Sequence, residues 1–322
     1  MLRCFLFLAV ALATIAGSPG PVFASCGAES CPIDHASRWS EKPFTFELSY
    51  QYLDQDQPRA GMDDTEVGSI PRHHDEVRTL SRITTARAGY QRGSWSLGAT
   101  LPFVDRYHAH IHDHAGERTL DEWNYSGLGD LELAALRTFQ IPDFLPTGKS
   151  RYFVSAGVKM PTGDTSVPNE AGDQPEPAAR PGTGSWDLTA GFGWEWFGPL
   201  DDERAVPVRF SVTGRWNGYG TENYRIGPEI QAHLATDVPV SSRLALLGQA
   251  NFRVRGKDDV AESGVEEDDT GGTVLYLSPG ARFAITPRAS IYGLVQLPAY
   301  QRVNGIQVVS EANLYVGVTG GL

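Results

Sequence analysis

The chain has 322 residues and a formal net charge of −12 at neutral pH, and so acidic a balance excludes a nucleic-acid partner, because neutralising phosphates takes a basic surface. Charged residues are only 20% of the total, while 35 Gly and 21 Pro are present. That composition excludes a helix-rich soluble enzyme and favours many short strands joined by turns.

The N-terminus begins with Met1-Leu2-Arg3, an apolar run from Cys4 to Ala16, and small residues ending at Val22-Phe23-Ala24. These are the parts of an export signal, with cleavage expected after Ala24, so residues 1–24 are expected to be removed. Gly17-Ser18-Pro19-Gly20-Pro21 stops the run short of the ~20 residues a spanning helix needs. Phe23-Ala24-Ser25-Cys26 is a poor lipobox, which leaves lipoprotein processing as the weaker alternative. Residues 25–42 read as a periplasmic leader in which Cys26 and Cys31 can close a small disulfide loop. A metal or redox role for the pair lacks a second close pair to complete it.

From Phe44 onward, apolar and polar residues alternate with period two, the pattern of a strand with two different faces. Phe44, Phe46, Leu48, Tyr50 and Tyr52 alternate with Thr45, Glu47, Ser49 and Gln51. A weaker segment covers 77–90. Trp95, Leu97, Ala99, Leu101 and Phe103 then repeat the pattern before a second weak segment at 128–139. Tyr152, Val154, Ala156, Val158 and Met160 follow, and then Trp186, Leu188, Ala190, Phe192, Trp194 and Trp196, set against Asp187, Thr189, Gly191, Gly193 and Glu195. Segments led by Val208, Ile226, Leu244, Leu275, Ile291 and Leu314 bring the count to about twelve strands. Pro228 and Pro279 fall inside these patterns and remove ladder donors, so bulges are expected there.

A soluble sandwich also alternates, so the choice rests on strand length, polar-face charge and loop asymmetry. The segments are longer than the ~5–6 residues usual in globular sheets. Their polar faces carry charges of both signs. Short connections at 90–94, 140–150, 197–207, 235–242 and 286–288 alternate with long ones at 53–76, 104–127, 161–184 and 256–272. Residues 43–322 are therefore expected to form an all-β, transmembrane, antiparallel up-and-down β-barrel in the outer membrane of a Gram-negative bacterium, closed because an unpaired strand edge is untenable in lipid. Tyr50, Tyr52, Phe103, Tyr152, Trp194, Trp196, Trp216 and Tyr300 are candidates for the aromatic girdles.

The polar faces supply the expected pore lining: Glu47, Asp130, Lys159, Asp187, Glu195, Arg209, Arg215, Arg225, Glu229, Arg243 and Arg253. Arginines gather late in the chain and carboxylates early. Facing each other across a lumen they would set a transverse field that selects solutes, unless they pair and fill it. His108, His110, His112 and His114 share one face of an extended chain, with His73 and His74 in the preceding loop, and present imidazoles to Zn²⁺ or Cu²⁺; the competing reading is a solvated loop. This is the one candidate cofactor site, and it makes a metal-binding outer-membrane protein the alternative function. Asp258, Asp259, Glu262, Glu266, Glu267, Asp268 and Asp269 read as a solvated acidic loop without a calcium-loop order. A hydrolase would need Ser211 or Ser278 beside His233, but no G-x-S-x-G elbow is present, and the chain is expected not to be an enzyme. The expected partners are outer-membrane lipid and a small solute, with the oligomeric state open.

Three motifs carry a family resemblance: Gly127-Leu128-Gly129-Asp130, Val158-Lys159-Met160-Pro161-Thr162-Gly163-Asp164, and Pro181-Gly182-Thr183-Gly184-Ser185-Trp186-Asp187. In this order and spacing they resemble the family of outer-membrane transporters named for the meta-pathway of phenol degradation. The resemblance implies a barrel that passes small, often aromatic or apolar, compounds, and it brings no catalytic residues.

Overall fold

The computed structural model describes residues 43–68, 74–114, 117–139, 148–199, 205–261 and 265–322. The export signal, the leader with Cys26 and Cys31, and His73 lie outside the described residues, as do the side chains of His74, His112 and His114.

Twelve strands form the wall: β1 (Phe44–Gln55), β2 (His74–Arg92), β3 (Trp95–His114), β4 in two segments (Glu117–Leu128 and Leu131–Phe139), β5 (Lys149–Met160), β6 (Asp187–Pro199), β7 (Ala205–Asn217), β8 (Glu229–Pro239), β9 (Leu244–Arg255), β10 (Gly272–Thr286), β11 (Ala289–Val303) and β12 (Asn313–Gly321). Each pairs antiparallel with its chain neighbours. β12 returns to β1, with Thr45 opposite Gly321 and Leu53 opposite Asn313, so the sheet has no open edge. Short turns such as Gly93-Ser94 and Pro287-Arg288 lie at one end, and segments such as 161–186 and 256–271 at the other, the asymmetry expected of a membrane barrel.

The alternation read from the sequence is the inside–outside alternation of this wall. On β1, Phe46 and Leu48 are exposed while Glu47, Ser49 and Gln51 are buried, and on β6, Leu188 and Phe192 are exposed while Asp187 and Glu195 are buried. Polar groups pair inside and apolar side chains face outward, the reverse of a soluble core and the arrangement that lipid requires.

Three boundaries differ from expectation. The span 104–127, expected as a loop, is mostly a β-hairpin: β3 continues to His114 and pairs with the first segment of β4, from Phe103 opposite Leu128 to His114 opposite Glu117. Its charges obscured the strand, because backbone pairing above the apolar band needs no lipophilic face. Ile226 and Pro228 precede β8 rather than lying in it. Pro279 stays in register opposite Gly248, and the bulges of β10 lie at Leu275/Tyr276 and Ala284/Thr286 instead.

The interior is divided. On the β9–β12 side it is filled: Leu247, Tyr292, Leu294 and Tyr315 form an apolar cluster, and the Tyr292 hydroxyl donates to Glu47 at 3.1 Å. The Tyr292 ring lies flat on Gly317, where a Cβ would meet Cζ at 2.6 Å, so a side chain there would displace the ring. Beside the cluster, Ser278 donates to Asn251 at 2.8 Å and Asn313 to Gln296 at 3.1 Å, satisfying amides that would otherwise be buried at cost.

The acidic stretch is not simply solvated. Asp258, completely buried, accepts from the Tyr224 hydroxyl at 2.5 Å and the Gly227 N–H at 3.0 Å, and lies 3.5 Å from Arg255. Burial and this carboxylate push the Tyr224 phenol well above its ordinary range. Asp259 pairs with Arg225 at 2.6 Å. Both belong to a small sheet of Tyr224–Arg225, Asp258–Val260 and Val265–Glu267 above the barrel.

Candidate functional site

The β1–β8 side of the interior is rich in glycine, serine and threonine where the other side carries tyrosine and leucine. Its inward residues include Thr45, Thr85, Gly98, Thr100, Ser155, Thr189 and Thr213, which border a cavity of about 460 Å³. The cavity reaches Gln91 and Ser96 near the short turns and Arg180 and Pro181 toward the long loops, and no residue of β9–β12 borders it.

Its upper end is stopped by the 161–186 segment, which folds into the barrel mouth. The backbone of the segment is bound at several points: Trp123 donates to the Asp173 carbonyl at 2.9 Å, and Arg106 and Tyr125 both donate to the Ala179 carbonyl. Arg180, itself buried, donates to the Pro175 carbonyl at 2.8 Å and pairs with Glu222 at 2.6 Å.

The three motifs behind the family resemblance converge at the root of this segment. Lys159 Nζ lies 3.0 Å from Asp130 and 2.7 Å from Asp187, and all three side chains are at most 7% exposed. Lys159 also donates to Thr183, whose hydroxyl donates to Asp130 at 2.8 Å, while Ser185 donates to Asp187 at 2.7 Å. Asp130 further accepts the backbone N–H groups of Gly163 at 2.9 Å and Thr183 at 3.0 Å. One buried cation flanked by two carboxylates therefore joins the wall to both ends of the segment. Beside it, Gly163 and Gly182 lie backbone to backbone: a Cβ on Gly182 would meet the Gly163 carbonyl carbon at 2.5 Å, and one on Gly163 would meet that of Gly129 at 2.7 Å.

β4 breaks at this point for a visible reason. Below the break, Leu131 pairs with Met160. Above it, Leu128 exchanges hydrogen bonds with Asp164, donating to its carboxylate and accepting from its N–H, each at 2.8 Å. The segment thus takes the place of β5 as the neighbour of upper β4.

Of the residues expected to line a pore, Glu47, Asp130, Lys159, Asp187, Arg215 and Glu229 border the cavity. Glu195, Arg209 and Arg253 point inward but are buried away from it. Two expectations are corrected. Arg243 is exposed in the β8–β9 turn, where the Ser241 side chain accepts its backbone N–H, so parity counted back from Leu244 does not reach it. Arg225 sits in the small upper sheet, because the chain leaves strand geometry before Pro228.

The expected transverse field is also replaced by local pairs. Arg87 meets Glu47 at 2.8 Å, Arg151 meets Glu195 at 2.6 Å, Arg209 meets Asp237 at 3.0 Å, and Arg215 meets Glu132 at 2.6 Å. The last pair joins β7 to β4 across the faces of β5 and β6, where Gly157 and Thr189 leave room for it. Sequence spacing gives no sign of such a contact.

His108 and His110 share the inner face as their spacing implied, buried against Trp123 and 3.4 Å apart, with Thr79 2.8 Å from His108 Nδ1. Among the described residues no three His, Cys, Asp or Glu side chains converge on a metal position. His233 bonds to Asn251 at 3.1 Å and Gln231 at 3.3 Å, and Ser278 donates to Asn251, which makes these groups part of an amide network.

A closed wall, apolar outside, with half its lumen open and the mouth stopped by an infolded segment defines a transmembrane β-barrel of twelve strands. Among solved structures the chain is similar to an outer membrane channel from Pseudomonas putida F1, with a TM-score of 0.63 and 15% identity over 90% of this chain and 99% of that one. It is also similar to the transport unit of the autotransporter AIDA-I from Escherichia coli, with a TM-score of 0.50 and 10% identity over 90% and 93% of the two chains. Likeness at these identities shows the barrel fold. No protein-family model and no curated protein matches the sequence, so the phenol-pathway family remains a resemblance carried by the three motifs.

Proposed function

We propose that this protein is an outer-membrane channel for small solutes whose path follows the β1–β8 side of the lumen. The observation that carries the reading is the one-sided cavity of about 460 Å³, running from the short-turn end to the infolded segment. That size falls in the range of small-molecule sites, ~300–1,000 Å³, and below a water-filled porin lumen. The lining alternates Ile83, Val104 and Leu136 with Thr85, Thr100 and Ser155. Because the neighbouring charges are paired, it favours neutral, partly apolar solutes over ions. The motif resemblance, which implies small aromatic or apolar compounds, supports the same class. The outward apolar face and the likeness to outer-membrane barrels support the location.

The Arg215–Glu132 pair crosses the cavity's lining just below the infolded segment and is assigned as its narrowest strut. In planar bilayers the wild type is expected to give a small unit conductance, and Arg215→Ala to raise it by about two-fold, since pore width sets conduction. Liposome swelling is expected to be faster with a neutral phenolic solute than with a sugar of similar mass. Absence of both conductance and swelling in the two proteins would overturn the reading.

A further inference from the structure

The outer wall carries a second feature that the channel does not use. Arg92 lies opposite Trp95, and Trp95 opposite Arg137, so the three form one row across β2, β3 and β4. All three are exposed on the lipid-facing side. The Arg137 guanidinium is stacked 5.3 Å from the Trp95 ring centroid and 5.2 Å from that of Phe139. Neither arginine has a carboxylate partner among the described residues. An arginine on the lipid face is tolerated only at headgroup depth, and the neighbouring Phe44–Tyr90 ring pair marks that depth at the short-turn rim. The exposed ionic side chains described at this rim are Arg92, Arg137, Lys149, Arg243 and Arg288, all cationic.

We propose that Arg92, Trp95 and Arg137 form a binding site for the phosphate of an anionic phospholipid headgroup. Strands ~4.8 Å apart place the two arginine Cα atoms about 10 Å apart, a span that two long side chains close around one phosphate diester. Stacking on Trp95 and Phe139 restricts the Arg137 guanidinium, which reduces the ordering cost of a bidentate contact. The acyl chains then lie along the apolar wall. A free phosphate lacks those chains and gains only the ionic part of the contact. The proposal rests on the barrel's place in a membrane and not on the channel reading, so its readout is binding rather than conductance.

The test is native mass spectrometry of the full barrel released from non-ionic detergent, with phosphatidylglycerol, phosphatidylcholine or inorganic phosphate added at equal concentration. The wild type is expected to retain phosphatidylglycerol about ten-fold over phosphatidylcholine, with inorganic phosphate unable to compete. Arg92→Ala/Arg137→Ala is expected to abolish the preference, whereas Arg288→Ala, on the same rim but away from Trp95, keeps it. Arg137→Lys, which retains charge and strand geometry, is expected to keep only part of it. Equal retention of the two lipids, an unchanged preference in the double variant, the same loss in Arg288→Ala, or displacement by inorganic phosphate would each overturn the site.

Discussion

Lys159→Met is expected to free the 161–186 segment from the barrel mouth and to cost about 3–5 kcal/mol, the magnitude typical of removing one partner from a buried ion cluster. The side chains are similar in length, so the change removes charge and hydrogen bonds while leaving volume nearly constant. Asp130 and Asp187 then remain buried with no cation between them. Most of their remaining donors, Gly163, Thr183 and Ser185, belong to the segment itself, and the Gly218 N–H, 3.2 Å from Asp187, is a donor from outside it. Moving the segment outward is the route by which water can reach the carboxylates, so the destabilisation is directed at the segment more than at the strand ladder. Two measurements check this: the thermal unfolding midpoint in detergent should fall, and elastase, which cuts after small residues, should cleave at Ala178 and Ala179, both buried in the closed form. Lys159→Met/Asp187→Asn should recover part of the loss, because a neutral amide tolerates burial better than an unpaired carboxylate. An unchanged midpoint with Ala178 and Ala179 still protected would show that the triad does not hold the segment.

The wall was legible in the sequence and the stopper was not, for a physical reason that particular residues make plain. Strand residues repeat every second position, so Phe46 against Glu47, or Phe192 against Glu195, assigns a face without knowledge of any partner. Even His108 and His110 obeyed the rule. The infolded segment has no period. Its place is fixed by single contacts such as Trp123 to Asp173 and Arg106 to Ala179, which join residues dozens of positions apart and leave no trace in spacing. The charges were found but not their partners. Asp130, Lys159 and Asp187 stood out as inward charges, yet nothing in the chain order says that they meet each other rather than face a solute. The two halves of the lumen were foreshadowed in composition, with Thr189, Gly191 and Gly193 inward on β6 and Tyr292 and Leu294 inward on β11. Without the closed ring there was no way to see that the small residues cluster on one side. The motifs Gly127–Asp130, 158–164 and 181–187 were conspicuous as a set because they are one structure in space.

That structure also rests on a contact with no charge in it. Gly182→Val is expected to push the segment off the wall and to cost about 1–3 kcal/mol, the usual range for overpacking a close contact. The atoms that a Cβ would meet are the Gly163 backbone, with its carbonyl carbon 2.5 Å away, and backbone cannot rotate aside as a side-chain tip can. A Cβ on Gly163 would in turn meet the Gly129 carbonyl carbon at 2.7 Å and the Leu128 carbonyl at 2.8 Å, so Gly163 has no room to yield and strain at one glycine is transmitted to the break in β4. Gly248→Ala supplies the contrast. On β9 its Cβ would find Thr236 at 3.7 Å, an ordinary contact, and its midpoint should stay close to wild type. Because Gly182→Val acts through shape, its effect should persist at high salt. Surface ion pairs would lose their contribution under those conditions, whereas a steric contact is not screened. Elastase cleavage at Ala178 and Ala179 should rise in Gly182→Val as in Lys159→Met, and unit conductance should rise with it, since both changes displace the same stopper by different forces. If Gly182→Val matches Gly248→Ala in midpoint and in protection of Ala178 and Ala179, backbone contact between the motifs is dispensable, and the ion triad alone must account for the closed mouth.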